Sequence, residues 1–305
     1  MKMLTLLEAS KLVQDPLKRG VMELFPRTSP VLERLPFFNV NGQAYRYNVE
    51  ETLPGIAFRG INESYTESTG VVNPAIEALY IMGGLSKVDR ALIKTQGNIS
   101  NLRSIYDGMK AKAAALTYTD KFFKGDNASD PNEFDGLKKR LTGSQVIDAG
   151  ATAGGDTLTL DKLDELLDAV QGGADVLFMN KIMRRKVSAA VRAAGQAIET
   201  VSDSFGRQLT AYAATPIAVI EEDKDGNQIL GFDENDCNGD SAECTSIYAV
   251  RFGLAEYISG LQAGTMDVID QGLSGVHYTT LIEWITGLGV FHPKAAARLR
   301  GIKNA

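Results

Sequence analysis

The chain is poor in the residues that carry most enzyme chemistry: 305 residues contain two histidines, two cysteines and one tryptophan. Two cysteines, Cys237 and Cys244, make neither a disulfide framework nor a four-ligand zinc site. They share one loop, so a single bond between them or two free thiols both fit, and a reducing cytoplasm favours the thiols. The histidines, His277 and His292, stand alone in strand-like sequence and read as packing or surface residues. No phosphate-binding GxxxxGK[ST], no GxGxxG after a strand and no GxSxG elbow is present. The string "GATAGGD" (150–156) has no Lys or Ser/Thr on a following helix and reads as a flexible connector. No apolar run is long enough to cross a bilayer, and charge interrupts "MKMLTLLEASKLVQDP" too early for a secretory signal. A soluble protein that stays where it is made is expected, with no cofactor, no metal and no membrane partner.

Charge is unevenly spread. The net charge is -6, yet residues 221–243 hold nine acids against one base, Lys224. The remainder is close to neutral, which excludes the basic domain of a DNA-wrapping protein. Asp223, Asp225, Asp233, Asp236 and Asp240 belong to this acidic loop. Two calcium-loop registers can be laid on it, but they end on Phe232 and Thr245, where a bidentate Glu is required. A solvated surface hairpin is therefore expected. The basic face Lys181, Arg184, Arg185, Lys186 and Arg192 reads as the wet side of an amphipathic helix.

One stretch fits no period. In "YRYNVEETLPGIAFRGINESYTESTG" (45–70), Tyr45, Tyr47 and Val49 alternate as in a half-buried strand. A long run follows in which Leu53, Pro54, Ile56, Ala57, Phe58 and Ile61 form an apolar knot. Glu50, Glu51, Glu63 and Glu67 flank it, and Arg59 lies inside it. Loops of this length are usually functional or disordered. The strand-like segment Pro74–Lys94, paired with 43–49, would make a ribbon with the loop at its tip.

Elsewhere the pattern is mixed. A short helix is expected over 4–14, and prolines at 26, 30 and 36 keep the chain extended after it. Spacings of three and four over Ile99, Leu102, Ile105, Tyr106, Met109, Ala113 and Leu116 predict a long helix from an Asn98 cap to Gly125. Helices over 160–170 and 181–194 alternate with strands at 174–180, 215–221, 246–253 and 277–292, and a further one at "MDVID".

The order of these parts resembles the major capsid protein of tailed bacteriophages, the Hong Kong 97 fold shared with encapsulin compartments. The strings "GINESYTESTG" before "IEALYIMGGLSKVDRAL", "PNEFDGLKKRL", "RQLTAYAATPIAVIEED" and "GLGVFHPKAAARLRGI" are similar to those of such phage proteins. The resemblance implies an α+β fold with an N-terminal arm (1–41) and an extended loop (42–73). A peripheral domain (74–144 and 271–305) with a spine helix and an axial domain (145–270) complete it. It implies a non-enzymatic subunit that assembles through pentamers and hexamers into an icosahedral virion shell around double-stranded DNA in the host cytoplasm. Portal, scaffolding or decoration proteins would be its partners; an encapsulin-like cargo compartment is the first alternative, and a soluble α/β enzyme, whose catalytic groups the sequence does not show, the second. Leu53, Pro54, Ile56, Phe58, Arg59 and Glu63 would contact the adjacent subunit. The family's founding member cross-links through a loop lysine; residues 43–70 here contain none, so a non-covalent shell is expected. The acidic loop is expected near the capsomer axes or on the outer surface, away from DNA.

Overall fold

A computed structural model describes residues 28–92, 99–195, 197, 199–202, 208–239 and 243–304. The helix expected over 4–14, the Asn98 cap and Asp240 lie outside them. The first half runs α1 (Pro30–Arg34), β1 (Phe37–Asn39), β2 (Ala44–Thr52), β3 (Val71–Ala78), β4 (Tyr80–Asp89), α2 (Ile99–Lys124), α3 (Leu137–Arg140) and β5 (Val146–Asp148). Then come α4 (Leu160–Asp168), β6 (Val176–Met179), α5 (Lys181–Ala193), β7 (Glu199–Ser202), β8 (Gln208–Tyr212) and β9 (Thr215–Val219). The chain closes with β10 (Cys244–Val250), β11 (Ile258–Gln262), β12 (Asp267–Ser274), β13 (His277–Val290) and β14 (Ala296–Lys303). The architecture is α+β, as expected.

Strand β13 is the axis of a five-stranded sheet. Its one edge pairs with β4 from His277↔Asp89 to Thr286↔Tyr80, and its other edge takes β12 and β11 end to end. β1 joins β11 in parallel, with Phe37 opposite Gly260. A Cβ on Gly260 would lie 2.1 Å from the Phe37 ring, so only glycine lets that ring pack down. Phe37, Tyr118 and Trp284 then form a tilted cluster with centroids 5.2–5.9 Å apart, each contact adding about 0.5–1.5 kcal/mol beyond burial.

The second sheet has seven strands in the order β5-β14-β10-β6-β9-β8-β7. Alternation explains why β6 is buried on both faces. Val176 and Phe178 join the core shared with α2, whereas Leu177 and Met179 join a second core under α4 and α5. Helix α4 starts where the Thr159 hydroxyl accepts from Lys162 N, and α5 where Asn180 Oδ1 accepts from Met183 N at 2.8 Å, the standard capping role of such side chains.

Four expectations need correction. Pro74–Lys94 is not one strand: β3 pairs with β2 in a separate two-stranded ribbon, and after Leu79 the chain enters the five-stranded sheet as β4. Strands β11 and β12, grouped by sequence mostly with the 145–270 portion, pair within the five-stranded sheet, and β14, grouped with 271–305, pairs within the seven-stranded one. The face of α2 that meets the sheets carries Asp107, Ala111, Ala115, Tyr118 and Phe122, while Ile105, Tyr106 and Met109 are exposed. Small residues and rings permit that close approach, and the more apolar stripe is turned outward. The 150–156 string is not free: Asp156 N donates to Gly301 O and Lys303 N to Asp156 O, each at 3.0 Å.

Candidate inter-subunit contact site

The ribbon is the part of the molecule that leaves the body. β2 and β3 pair antiparallel from Ala44↔Ala78 to Thr52↔Val71, with a bulge between Glu50 and Thr52. Every residue from 52 to 74 is exposed. Ile56 and Phe58 retain 96% and 107% of their reference surface, so these two tips of the apolar knot touch nothing among the described residues of the body. Water-facing apolar tips of this size mark contact surfaces.

Local bonds shape the tip. Gly55 N donates to Ser68 Oγ at 2.5 Å, and Gly60 N to Glu63 Oε2 at 2.8 Å. Arg59 Nη1 donates to Glu63 O at 3.2 Å, and its guanidinium lies 5.4 Å from the Tyr65 ring centroid. Arg59 and Glu63 thus brace the turn, leaving Leu53, Pro54, Ile56 and Phe58 as the free apolar surface.

The foot of the ribbon is fastened twice. Phe38, Tyr45, Tyr47 and Phe291 stack with centroids 4.7–6.1 Å apart. Beside them Arg140 grips Glu77 with two bonds of 2.6 and 2.7 Å. Tyr47 Oη shares its one proton between Glu77 Oε1 and Val290 O, 3.2 and 3.1 Å away; burial, then the Glu77 charge, pushes its pKa up to about 12. Sequence reasoning missed Glu77, Tyr47 and Arg140 as a group. A signal existed: Glu77 is the lone carboxylate in the apolar "PAIEALYIM".

A second exposed apolar surface lies on α2. Tyr106 and Met109 line, with Leu85, Lys87 and Lys110, a groove of about 410 Å³.

The acidic loop is not the solvated hairpin expected. Asp223 and Asp225 are on its wet side, Asp223 accepting from Asp225 N and Asn227 N. Asp233 reaches Lys124 at 2.9 Å. Glu234 and Asp236 are buried. Asp236 Oδ2 accepts from Gly154 N at 2.7 Å, tying the loop to the glycine-rich connector. Glu234 pairs with Arg298 at 2.8 Å and Lys138 at 3.3 Å. Burial would raise its pKa, but Arg298, Lys138 and the Ser246 hydroxyl outweigh that and hold it below the usual range. Cys237 and Cys244 are free thiols, each donating to a backbone carbonyl, of Gly150 and Gly154 respectively.

Solved structures place this architecture. The holo-SrpI encapsulin complex from Synechococcus elongatus PCC 7942 aligns with a TM-score of 0.65 at 14% identity, over 90% of this chain and 89% of that one. The capsid of the native GTA particle aligns at 0.64 and 16% identity, over 90% of each chain. A structure from Mycobacterium phage Bobi aligns at 0.62 and 10% identity, over 98% of each. No curated protein matches in sequence. The fold is therefore that of the Hong Kong 97-type shell proteins.

Residues 15–160 match the family model described as Major capsid protein GP7, a segment that includes the whole ribbon and α2. That match covers just under half of the chain, and with the fold it supports a major capsid, shell-forming role.

Proposed function

We propose that the chain assembles through pentamers and hexamers into an icosahedral shell around double-stranded DNA, with the 53–61 knot of each subunit clasping its neighbour. The observation that carries this reading is the full exposure of Ile56 and Phe58 at the end of an ordered ribbon. Burying Leu53, Ile56 and Phe58 on an adjacent subunit would contribute about 1.5–3 kcal/mol each. Repeated around a closed shell, contacts of that size are enough.

In this reading the five-stranded sheet with α2 forms the peripheral part, and the seven-stranded sheet, bearing the acidic loop, forms the axial part. The loop's outer carboxylates, Asp223, Asp225 and Asp233, face away from the packaged DNA, since phosphates would repel them. The subunit performs no catalysis. Its partners are other copies of itself, a portal and scaffolding or decoration proteins, and the shell forms in the host cytoplasm. Electron microscopy of the assembled particle, with nuclease-protected DNA measured in parallel, tests it.

A second reading is a compartment that encloses a protein, supported by the similarity to the SrpI encapsulin shell. Shells filled with a protein and free of nucleic acid would favour it.

A further inference from the structure

We propose that Arg140 is the positioning residue of the extended loop, and that α3 is the hub from which the loop's direction is set. This rests on the reading of the loop as the inter-subunit contact. Helix α3 is a single turn, yet its three consecutive bases reach three separate segments. Lys138 pairs with Glu234 of the acidic loop, Lys139 with Asp126 at 3.0 Å in the turn after α2, and Arg140 with Glu77 of β3. Leu137 and Leu141 are buried on either side and hold the turn in the core. Arg140 Nε donates to Asp135 O at 2.7 Å, so the guanidinium is oriented from behind before it meets Glu77.

The ribbon needs such a fastening for geometric reasons. An isolated two-stranded ribbon is marginal, and among the described residues this one meets the body only at its foot. The ring contacts of the aromatic stack there tolerate a range of offsets and tilts, and Tyr47 Oη adds a single-point bond to Val290 O about which the ribbon can still pivot. A bidentate guanidinium–carboxylate pair fixes both distance and plane. From Glu77 to Val71 the strand rises about 20 Å. A tilt of about 10° at the foot would therefore carry the far end sideways by about 3.5 Å, a full atomic contact distance. Desolvation would lower the Arg140 pKa, but the Glu77 carboxylate beside it outweighs that, and the guanidinium stays charged.

The test uses the unassembled subunit, below its assembly concentration. Spin labels attached through keto side chains at positions 57 and 112 leave both cysteines in place; residue 112 is exposed on α2. The wild-type chain should give one narrow tip-to-body distance. Glu77→Gln, which removes the charge, and Arg140→Lys, which keeps charge but loses the fork, should each broaden or shift it by more than about 3 Å. Far-UV spectra should be unchanged. Narrow, unshifted distances in both variants, or unfolding of both, would overturn the proposal, leaving the aromatic stack as the aligning device or the pair as a stability element. The clasp reading fails separately, if both variants show the displaced tip and still build shells as fast as wild type.

Discussion

Arg298 Nη2 lies 2.8 Å from Glu234 Oε2, with both side chains buried. This pair joins β14 to the acidic loop, and Ser246 and Lys138 close the ring of partners around it. Removing Glu234 leaves the buried Arg298 without its carboxylate, and removing Arg298 leaves Glu234 with Lys138 and the Ser246 hydroxyl. Glu234→Gln or Arg298→Met should each lower stability by about 3–5 kcal/mol, read as a shifted urea midpoint. Because the Glu234 pKa is depressed in the folded state, its contribution is present above the unfolded value and is lost as pH falls through the folded one. Glu234→Gln should therefore narrow its deficit at acid pH. A deficit constant from pH 7 to strong acid would contradict this.

Asp107 behaves in the opposite sense. It is buried on α2, where desolvation outweighs what its polar neighbours return. The Ser86 and Thr280 hydroxyls lie beside it, while Arg103, one turn earlier, is committed to Asp270 at 2.7 Å. Burial raises its pKa above the usual carboxylate range. A raised carboxyl pKa favours the fold below the unfolded value and turns into a penalty as pH rises through the folded one. Asp107→Asn should thus stabilise the chain at neutral pH by about 1–3 kcal/mol. The gain should vanish near pH ~4. Melting curves across pH would show it, and a variant destabilised equally at every pH would refute it.

The apolar tip predicts a split between stability and assembly. Ile56→Ser and Phe58→Ser remove side chains that touch nothing in their own chain. Subunit stability should stay within about 0.5 kcal/mol of wild type. Assembly should weaken by about 1.5–3 kcal/mol per contact, measured as the concentration at which light scattering from shells appears. Equal losses in both measurements would mean that the tip packs on its own subunit.

The extended loop has no lysine between residues 43 and 70. Shells boiled in denaturant should run as a single band near 32.9 kDa. A ladder of multiples would show a covalent bond formed by other groups.

The loop was legible in the sequence because its apolar residues obey neither a helical nor a strand period, and such residues have no inward face to turn to. Helix α2 and its end at Lys124 were legible for the opposite reason, a long run of spacings of three and four. Which face of α2 is buried was not. Ile105, Tyr106 and Met109 make the more apolar stripe, but the sheet accepts Ala111 and Ala115, whose small size lets the backbones approach. Composition also concealed the acidic loop's anchors. Glu234 and Asp236 read like their neighbours, and their partners, Arg298 and Gly154, are far away in sequence. The single helical turn in "GLKKRL" has no period to detect in the sequence, and its three targets appear only in three dimensions.

The measurement closest to the central claim is a cryo-electron microscopy map of the assembled particle at side-chain resolution. The expected map shows a closed shell of pentamers and hexamers in which Ile56 and Phe58 are buried against an adjacent subunit. A shell in which residues 53–61 face solvent on every subunit would contradict it.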